Sequence, residues 1–410
     1  MFSSPLLHSL AGVAALGILL TACSDTVTAP DTPPRALTKT ETEVVGRANT
    51  FGLGLFARMS ADAPSTNVFI SPFSVSMALG MTLNGAGGDT RTAMQGTLGF
   101  EGMSDSAINT SYRGIIDLLR TLDPKVRFDI ANSIWTRQGF PVLPAFLATN
   151  RSYFDAECAE LDFSQPSAVS AINAWVKTKT NGKIPTILDD PIADDIVMYL
   201  VNAIYFKGTW TTQFKPDATK PTAFDGSAGT RTIDMMRRTG TMRYHEDSRM
   251  QVVDLPYGNG RYSMTVVLPA PGVSVDDISS SLTPATWSAW TGGLADTEVD
   301  LGLPKFRLEY KEILNSALQS MGMGIAFSGS ADFSRMSEAF RLAISRVIHK
   351  TFIDVNEEGT EAAAVTAVEM RNTSVGDQKR MIVNRPFILA IREHHTGSVI
   401  FIGKICDIQP

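Results

Sequence analysis

Apolar and polar positions change their spacing several times along the chain, and each spacing predicts a different element. Residues 44–59 predict a first helix. A second opens at Ser71-Pro72, an N-cap residue followed by proline at the first helical position, and stops at Asn84-Gly85. Its apolar residues Phe73, Val75, Met77, Leu79, Met81 and Leu83 fall on all sides of a helix. That pattern predicts a buried central helix. Residues 166–180 differ, with Ile172, Trp175 and Val176 on one face and Asn181-Gly182 as the stop. This helix is expected on the outside of a sheet. Strands are predicted at residues 196–206, 262–268, 299–303, 347–356, 387–391 and 398–405. Several are continuous apolar runs, which implies burial on both faces. Asn202 interrupts one such run and needs hydrogen-bond partners there.

A different pattern follows the apolar strand at 347–355. The even positions Thr360, Ala362, Ala364, Thr366, Val368 and Met370 are small or apolar, while the odd positions Glu361, Glu369 and Arg371 carry all the charge. Segregation with period 2 over twelve residues marks a strand with one buried face. An Ala-rich helix or an ordinary edge strand fits the same stretch, because residues 361–367 also have good helix propensity. Residues 371–380 (RNTSVGDQKR) then read as an exposed tip. The segment combines a strand fit for burial with a loop that a protease can reach.

Composition narrows the classes of function. The formal net charge is −6, without clustered Lys and Arg, which argues against nucleic acid. With 44% hydrophobic and 19% charged residues over 410 positions, a packed globular protein is expected rather than a disordered one. Residues 10–20 form an apolar run too short for a comfortable membrane span and suited to a secretory signal. The tetrapeptide Leu20-Thr21-Ala22-Cys23 resembles a bacterial lipobox, although the residues before it hold His8 and no Lys or Arg. Residues 1–22 are therefore expected to be a lipoprotein-type signal peptide, Cys23 the lipidated residue, residues 23–40 a Thr- and Pro-rich tether, and residues 41–410 one large domain. Location in the cell envelope, or outside the cell, follows. Any membrane contact is expected only through the lipid. With three Cys, of which Cys158 and Cys406 lie far apart, no disulfide framework is expected.

Catalytic signatures are missing. The sequence has no G-x-S-x-G elbow, H-E-x-x-H helix, Walker A loop or G-x-G-x-x-G turn. Five His occur, and the adjacent His394-His395 read as a solvated hairpin tip rather than a metal site. Neither metal nor cofactor is expected, and the protein is not expected to be an enzyme.

The segment Glu357-Glu358-Gly359-Thr360-Glu361-Ala362-Ala363-Ala364 resembles the hinge of an inhibitory serpin. Residues 202–210 (NAIYFKGTW) resemble the central-sheet motif of that family, and residues 381–388 (MIVNRPFI) its C-terminal signature. Residues 69–74 with 84–86, and Trp175 through 181–184, match in the expected order, so the resemblance covers about residues 41–410. It implies an α+β serpin fold of three β-sheets and about nine helices, with an exposed reactive loop, in a bacterial inhibitory-type member. It also implies a monomeric suicide inhibitor of serine proteases. The protease attacks the loop, an acyl-enzyme forms, and the severed loop inserts into the central sheet before deacylation.

By the same resemblance, Glu357, Glu358, Gly359, Thr360, Ala362, Ala363, Ala364 and Thr366 form the hinge. Ser71, Ser74, Asn202 and His349 correspond to the shutter, where the sheet parts. Trp210, Lys305 and Glu357 correspond to the breach at its upper end. On its own His349 reads as a core histidine, and the order of the motifs gives it this further role. Counting from Gly359 puts the scissile bond at Thr373-Ser374, while counting back from Asn384-Arg385-Pro386 gives Val375-Gly376. Both suit an elastase-like or subtilisin-like protease, whereas Arg371-Asn372 would recruit a trypsin-like one. A non-inhibitory serpin acting as a binding protein is the alternative.

Overall fold

The computed structural model describes residues 33–189, 191–339, 341–360 and 378–409. Among these residues are nine α-helices: α1 (Lys39–Asp62), α2 (Pro72–Leu83), α3 (Gly88–Leu98), α4 (Asp105–Leu119), α5 (Pro144–Phe154), α6 (Pro166–Lys179), α7 (Val275–Ser280), α8 (Pro284–Gly292) and α9 (Asn315–Leu318). The strands are β1 (Val68–Ile70), β2 (Val126–Arg137), β3 (Glu157–Leu161), β4 (Met198–Thr209), β5 (Lys220–Gly226), β6 (Gly229–Glu246), β7 (Met250–Tyr257), β8 (Tyr262–Pro269), β9 (Ala295–Pro304), β10 (Phe306–Ile313), β11 (Ile348–Val355), β12 (Gly359–Thr360), β13 (Lys379–Ile382), β14 (Phe387–Glu393) and β15 (Val399–Ile405).

α1 begins at Lys39, five residues before the apolar spacing indicated. The cause is a capping box: the Thr38 side chain accepts from Glu41 N, and the Glu41 carboxylate accepts from Thr38 N at 2.8 Å. Arg35 pairs with Glu41 at 2.6 Å and donates to Gly114 O at 2.9 Å. The segment before the helix is therefore held to α4.

α2 is central, as its all-round apolar pattern implied, with eleven of its twelve residues buried. Ser71 caps it, accepting from Ser74 N. α6 covers a sheet with one face: Ile172, Trp175 and Val176 are buried against Trp135 and Val201 of β2 and β4, and the two Trp rings meet edge to face.

The strands form a six-stranded sheet of order β10-β11-β12-β4-β2-β3 and a nine-stranded one of order β1-β15-β14-β8-β7-β6-β9-β13, with β5 also on β6. β6 has 18 residues and serves two layers, pairing with β9 and β5 along most of its length and with β7 through Arg243–Glu246. The nine strands thus make two layers sharing β6, and with the six-stranded sheet they give the three sheets of a mixed α+β architecture. β14 and β15 are buried almost throughout, in keeping with their continuous apolar runs. β2 and β4 pair antiparallel in a register that sets Asn132 opposite Asn202.

Candidate functional site

The six-stranded sheet has an irregular centre. Every other neighbouring pair in it shares at least five residue positions, but β11 and β4 are joined only through β12, two residues long. Among the described residues β11 and β4 make no pair with each other. Below β12 their facing edges run from Val355 to Ile348 and from Gly208 to Met198.

A side chain sets the turn into β12. The Asn356 Oδ1 accepts from Glu358 N at 3.0 Å and from Gly359 N at 3.2 Å, standing in for a backbone carbonyl. Gly359 then enters between the strands opposite Thr209, and Thr360 lies opposite both Gly208 and Val355. A Cβ at position 359 would sit 2.1 Å from Gly208 O, so only glycine passes. Thr360 is 3% exposed, and its hydroxyl lies 2.6 Å from the Tyr257 hydroxyl. Tyr257 stacks on Trp210, their ring centres 4.4 Å apart.

Trp210 fastens the same turn from its other side. Its ring N–H donates to Asn356 O and its backbone N–H to Glu358 O, both at 2.9 Å. Lys305 pairs with Glu357 at 3.0 Å, and the Thr219 hydroxyl donates to the same carboxylate at 2.9 Å. Burial alone would raise the Glu357 carboxyl, but the bonds from Lys305 and Thr219 outweigh it and the net direction is downward. Lys305 is 43% exposed, so this pair is worth about 1 kcal/mol at most. The structure thus brings Trp210, Lys305 and Glu357 together around one turn.

Six residues further along β11 and β4 lies a polar rung. The buried Ser71 N–H donates to His349 Nε2 at 3.0 Å, which puts the ring proton on Nδ1. The Ser71 hydroxyl donates to Ile400 O at 2.6 Å. The Ser74 hydroxyl donates to Asn202 Oδ1, and Asn202 Nδ2 donates to Asn132 Oδ1 at 2.6 Å. Asn132 passes the chain on to Phe154 O at 2.7 Å. The polar atom that Asn202 brings into the core is therefore satisfied, as required. Burial pushes the His349 imidazole down to about 4, so it is neutral at pH 7. A cavity of about 330 Å³ lies next to this rung, with Ser74, Asn202 and His349 in its lining.

All four expected shutter residues thus meet at one level of the sheet, as do the described hinge residues Glu357 to Thr360 at its upper end. Cys23, Ala362, Ala363, Ala364, Thr366 and the three candidate bonds at Arg371-Asn372, Thr373-Ser374 and Val375-Gly376 lie outside the described residues. Sequence reasoning missed Asn132, Asn356, Thr219 and Tyr257. Asn132 carried the same signal as Asn202, a polar residue inside an apolar strand. Tyr257 carried none, since an aromatic residue at the end of a strand is ordinary.

Comparison with known proteins places this geometry in a family. Residues 47–408 match the family model described as "Serpin (serine protease inhibitor)". The leukocyte elastase inhibitor of Sus scrofa is 36% identical over 379 residues, spanning 88% of this chain and 99% of that protein. Among solved structures, the thermophilic serpin tengpin in its native state aligns with a TM-score of 0.82 at 33% identity, over 92% of this chain and 96% of that one. Human thyroxine-binding globulin complexed with thyroxine aligns with a TM-score of 0.83 at 29% identity, over 90% and 100%. The chain belongs to the serpin family.

Proposed function

We propose that the chain is a suicide inhibitor of serine proteases, and the observation that carries the reading is β12. Its two residues already sit between β11 and β4 in a register that any added strand would continue. Extended downward, that register sets Ala362 opposite Phe206 and Ile353, Ala364 opposite Ile204 and Thr351, and Thr366 opposite Asn202 and His349. The small even residues would face α2, the side on which Ser74 bonds Asn202. The Thr366 hydroxyl would arrive at the polar rung. Strand addition to an exposed sheet edge is a general recognition mode, of which serpin loop insertion is a recognised instance.

The protease supplies the chemistry. Its serine attacks the loop carbonyl, the peptide bond breaks with departure of the new amine, and the acyl-enzyme is carried with the inserting loop. Insertion must outrun hydrolysis of the acyl bond. Elastase-like or subtilisin-like targets are supported by the small residues at Thr373-Ser374 and Val375-Gly376 and by the names of relatives such as the porcine leukocyte elastase inhibitor. Arg371-Asn372 is the register that would take a trypsin-like enzyme instead.

Incubating the purified chain with elastase-like, subtilisin-like and trypsin-like proteases, followed by denaturing gels and mass analysis, tests this reading. A denaturant-resistant complex of summed mass is expected, and the mass of the released C-terminal peptide places the bond. Cleavage with neither complex nor a rise in thermal stability would instead support a non-inhibitory binding protein, a reading favoured by the likeness to thyroxine-binding globulin.

The same proposal extends to location: export, with a lipid on Cys23 holding the domain to the cell envelope through the residues that follow. Cys23→Ser is expected to move the protein from the membrane to the soluble fraction. Unchanged fractionation would remove the lipid from the reading.

A further inference from the structure

The cavity beside the polar rung has a composition of its own. At about 330 Å³ it falls within the range of small-molecule sites. Its floor is α2, which presents Val75, Ala78, Leu79 and Thr82 at helical spacing. Its walls are apolar and incompletely covered: Met198, Leu200, Leu342, Ile344 and Val347 all line it and all remain only half-buried. Apolar surface left open inside a fold favours an apolar guest.

The mouth has the opposite character. Arg341 and Arg346 stand there exposed, and neither forms an ion pair among the described residues. Tyr199, which also lines the cavity, feels both Arg346 and Asp195. Among the described lining residues Asp195 is the one carboxylate, and the buried His349 is neutral at pH 7. Among the described lining residues the two arginines outnumber the carboxylate, which leaves a surplus positive charge. From Met198 to Asn202 the β4 wall runs ~13 Å, about the length of a ten-carbon chain.

We propose that this cavity binds a medium-chain aliphatic carboxylate, its head group at Arg341 and Arg346 and its chain along the Met198–Leu200 and Ile344–Val347 walls. By the register above, the guest lies where the loop strand would pass below Thr366. A filled cavity therefore stops insertion and turns the inhibitor into a substrate. This second step rests on the insertion reading, whereas binding does not.

The test is calorimetric titration of the purified full chain with decanoate below its micelle concentration, with 1-decanol as the uncharged comparator. One decanoate per chain is expected, with a raised thermal midpoint, and 1-decanol is expected to bind at least tenfold more weakly. The double variant Arg341→Gln/Arg346→Gln and the floor-filling variant Ala78→Phe are each expected to weaken decanoate at least tenfold. Circular dichroism checks that both variants fold, and the exposed arginine pair serves if Ala78→Phe does not. Saturating decanoate is expected to raise at least threefold the number of inhibitor molecules consumed per protease. Equal affinity for wild type and the arginine variant, or the absence of saturable binding, overturns the site. Saturable binding with unchanged stoichiometry overturns the coupling. If no protease is inhibited even without decanoate, the insertion reading fails while the titration still decides the site.

Discussion

Thr360→Arg is expected to convert the protein from an inhibitor into a substrate, raising at least tenfold the number of molecules needed to silence one elastase-like protease. In the proposed insertion Thr360 heads the added strand. It lies between Gly208 and Val355, 3% exposed, with its hydroxyl 2.6 Å from that of Tyr257. An arginine there would have to place its guanidinium in the slot walled by Tyr257 and Val355, both fully buried. Burying a charge without a partner costs several kcal/mol. The strand would leave the slot, and every later residue would have to enter past the same obstacle. Each ~1.4 kcal/mol added to the insertion barrier slows that step about tenfold, while hydrolysis of the acyl bond keeps its own rate. Titrating protease activity against inhibitor, with denaturing gels of the products, reads the ratio directly. Thr360→Ser keeps the hydroxyl for Tyr257 and is expected to stay near wild type. A Thr360→Arg protein that still forms complex mole for mole would show that insertion does not begin at this slot.

The parts of this machine that were legible in the sequence are those governed by short-range rules. α2 announced itself by a cap, a proline and apolar residues on every side, and β14 and β15 by unbroken apolar runs. The period-2 pattern from Thr360 was equally plain, but periodicity left helix and strand both open, and the resemblance to a family decided between them. β6 was invisible because its 18 residues alternate poorly: it leaves one layer for another part-way along, so the buried side changes. The N-terminus of α1 was misplaced because Thr38 and Glu41 act through reciprocal hydrogen bonds, which apolar spacing does not register. Long-range partners were the hardest to read. Ser71, Asn202 and His349 lie far apart in the chain, and nothing local joins them. The sheet register that puts Asn132 beside Asn202 is a property of the whole fold.

Acidification is expected to weaken the native state through His349. In the folded protein burial holds this imidazole near 4, whereas in the unfolded chain it titrates near its ordinary value of about 6.5. Between those values the unfolded state binds more protons than the folded one, so stability rises with pH across the window and falls as the pH drops through it. A difference of that size corresponds to about 3 kcal/mol, lost progressively from about pH 6.5 to about pH 4. The structural consequence is local. Nε2 accepts the Ser71 N–H at the cap of α2, and a protonated ring has no lone pair for it. The cap would lose its contact with β11 at the level where Asn202 and Ser74 hold β4 to the same helix. Urea unfolding midpoints from pH 4 to 7.5 measure the slope, with His349→Gln as the comparison. Glutamine can still accept from Ser71 but does not titrate, so the carboxylates common to both proteins leave their slope unchanged. The wild type is expected to be steeper by the His349 contribution and to reach the variant's stability, or fall below it, near pH 4. Equal slopes would mean that the ring is not held neutral by its site. The rung that joins α2 to β4 and β11 would then be no more sensitive to acid than the rest of the fold.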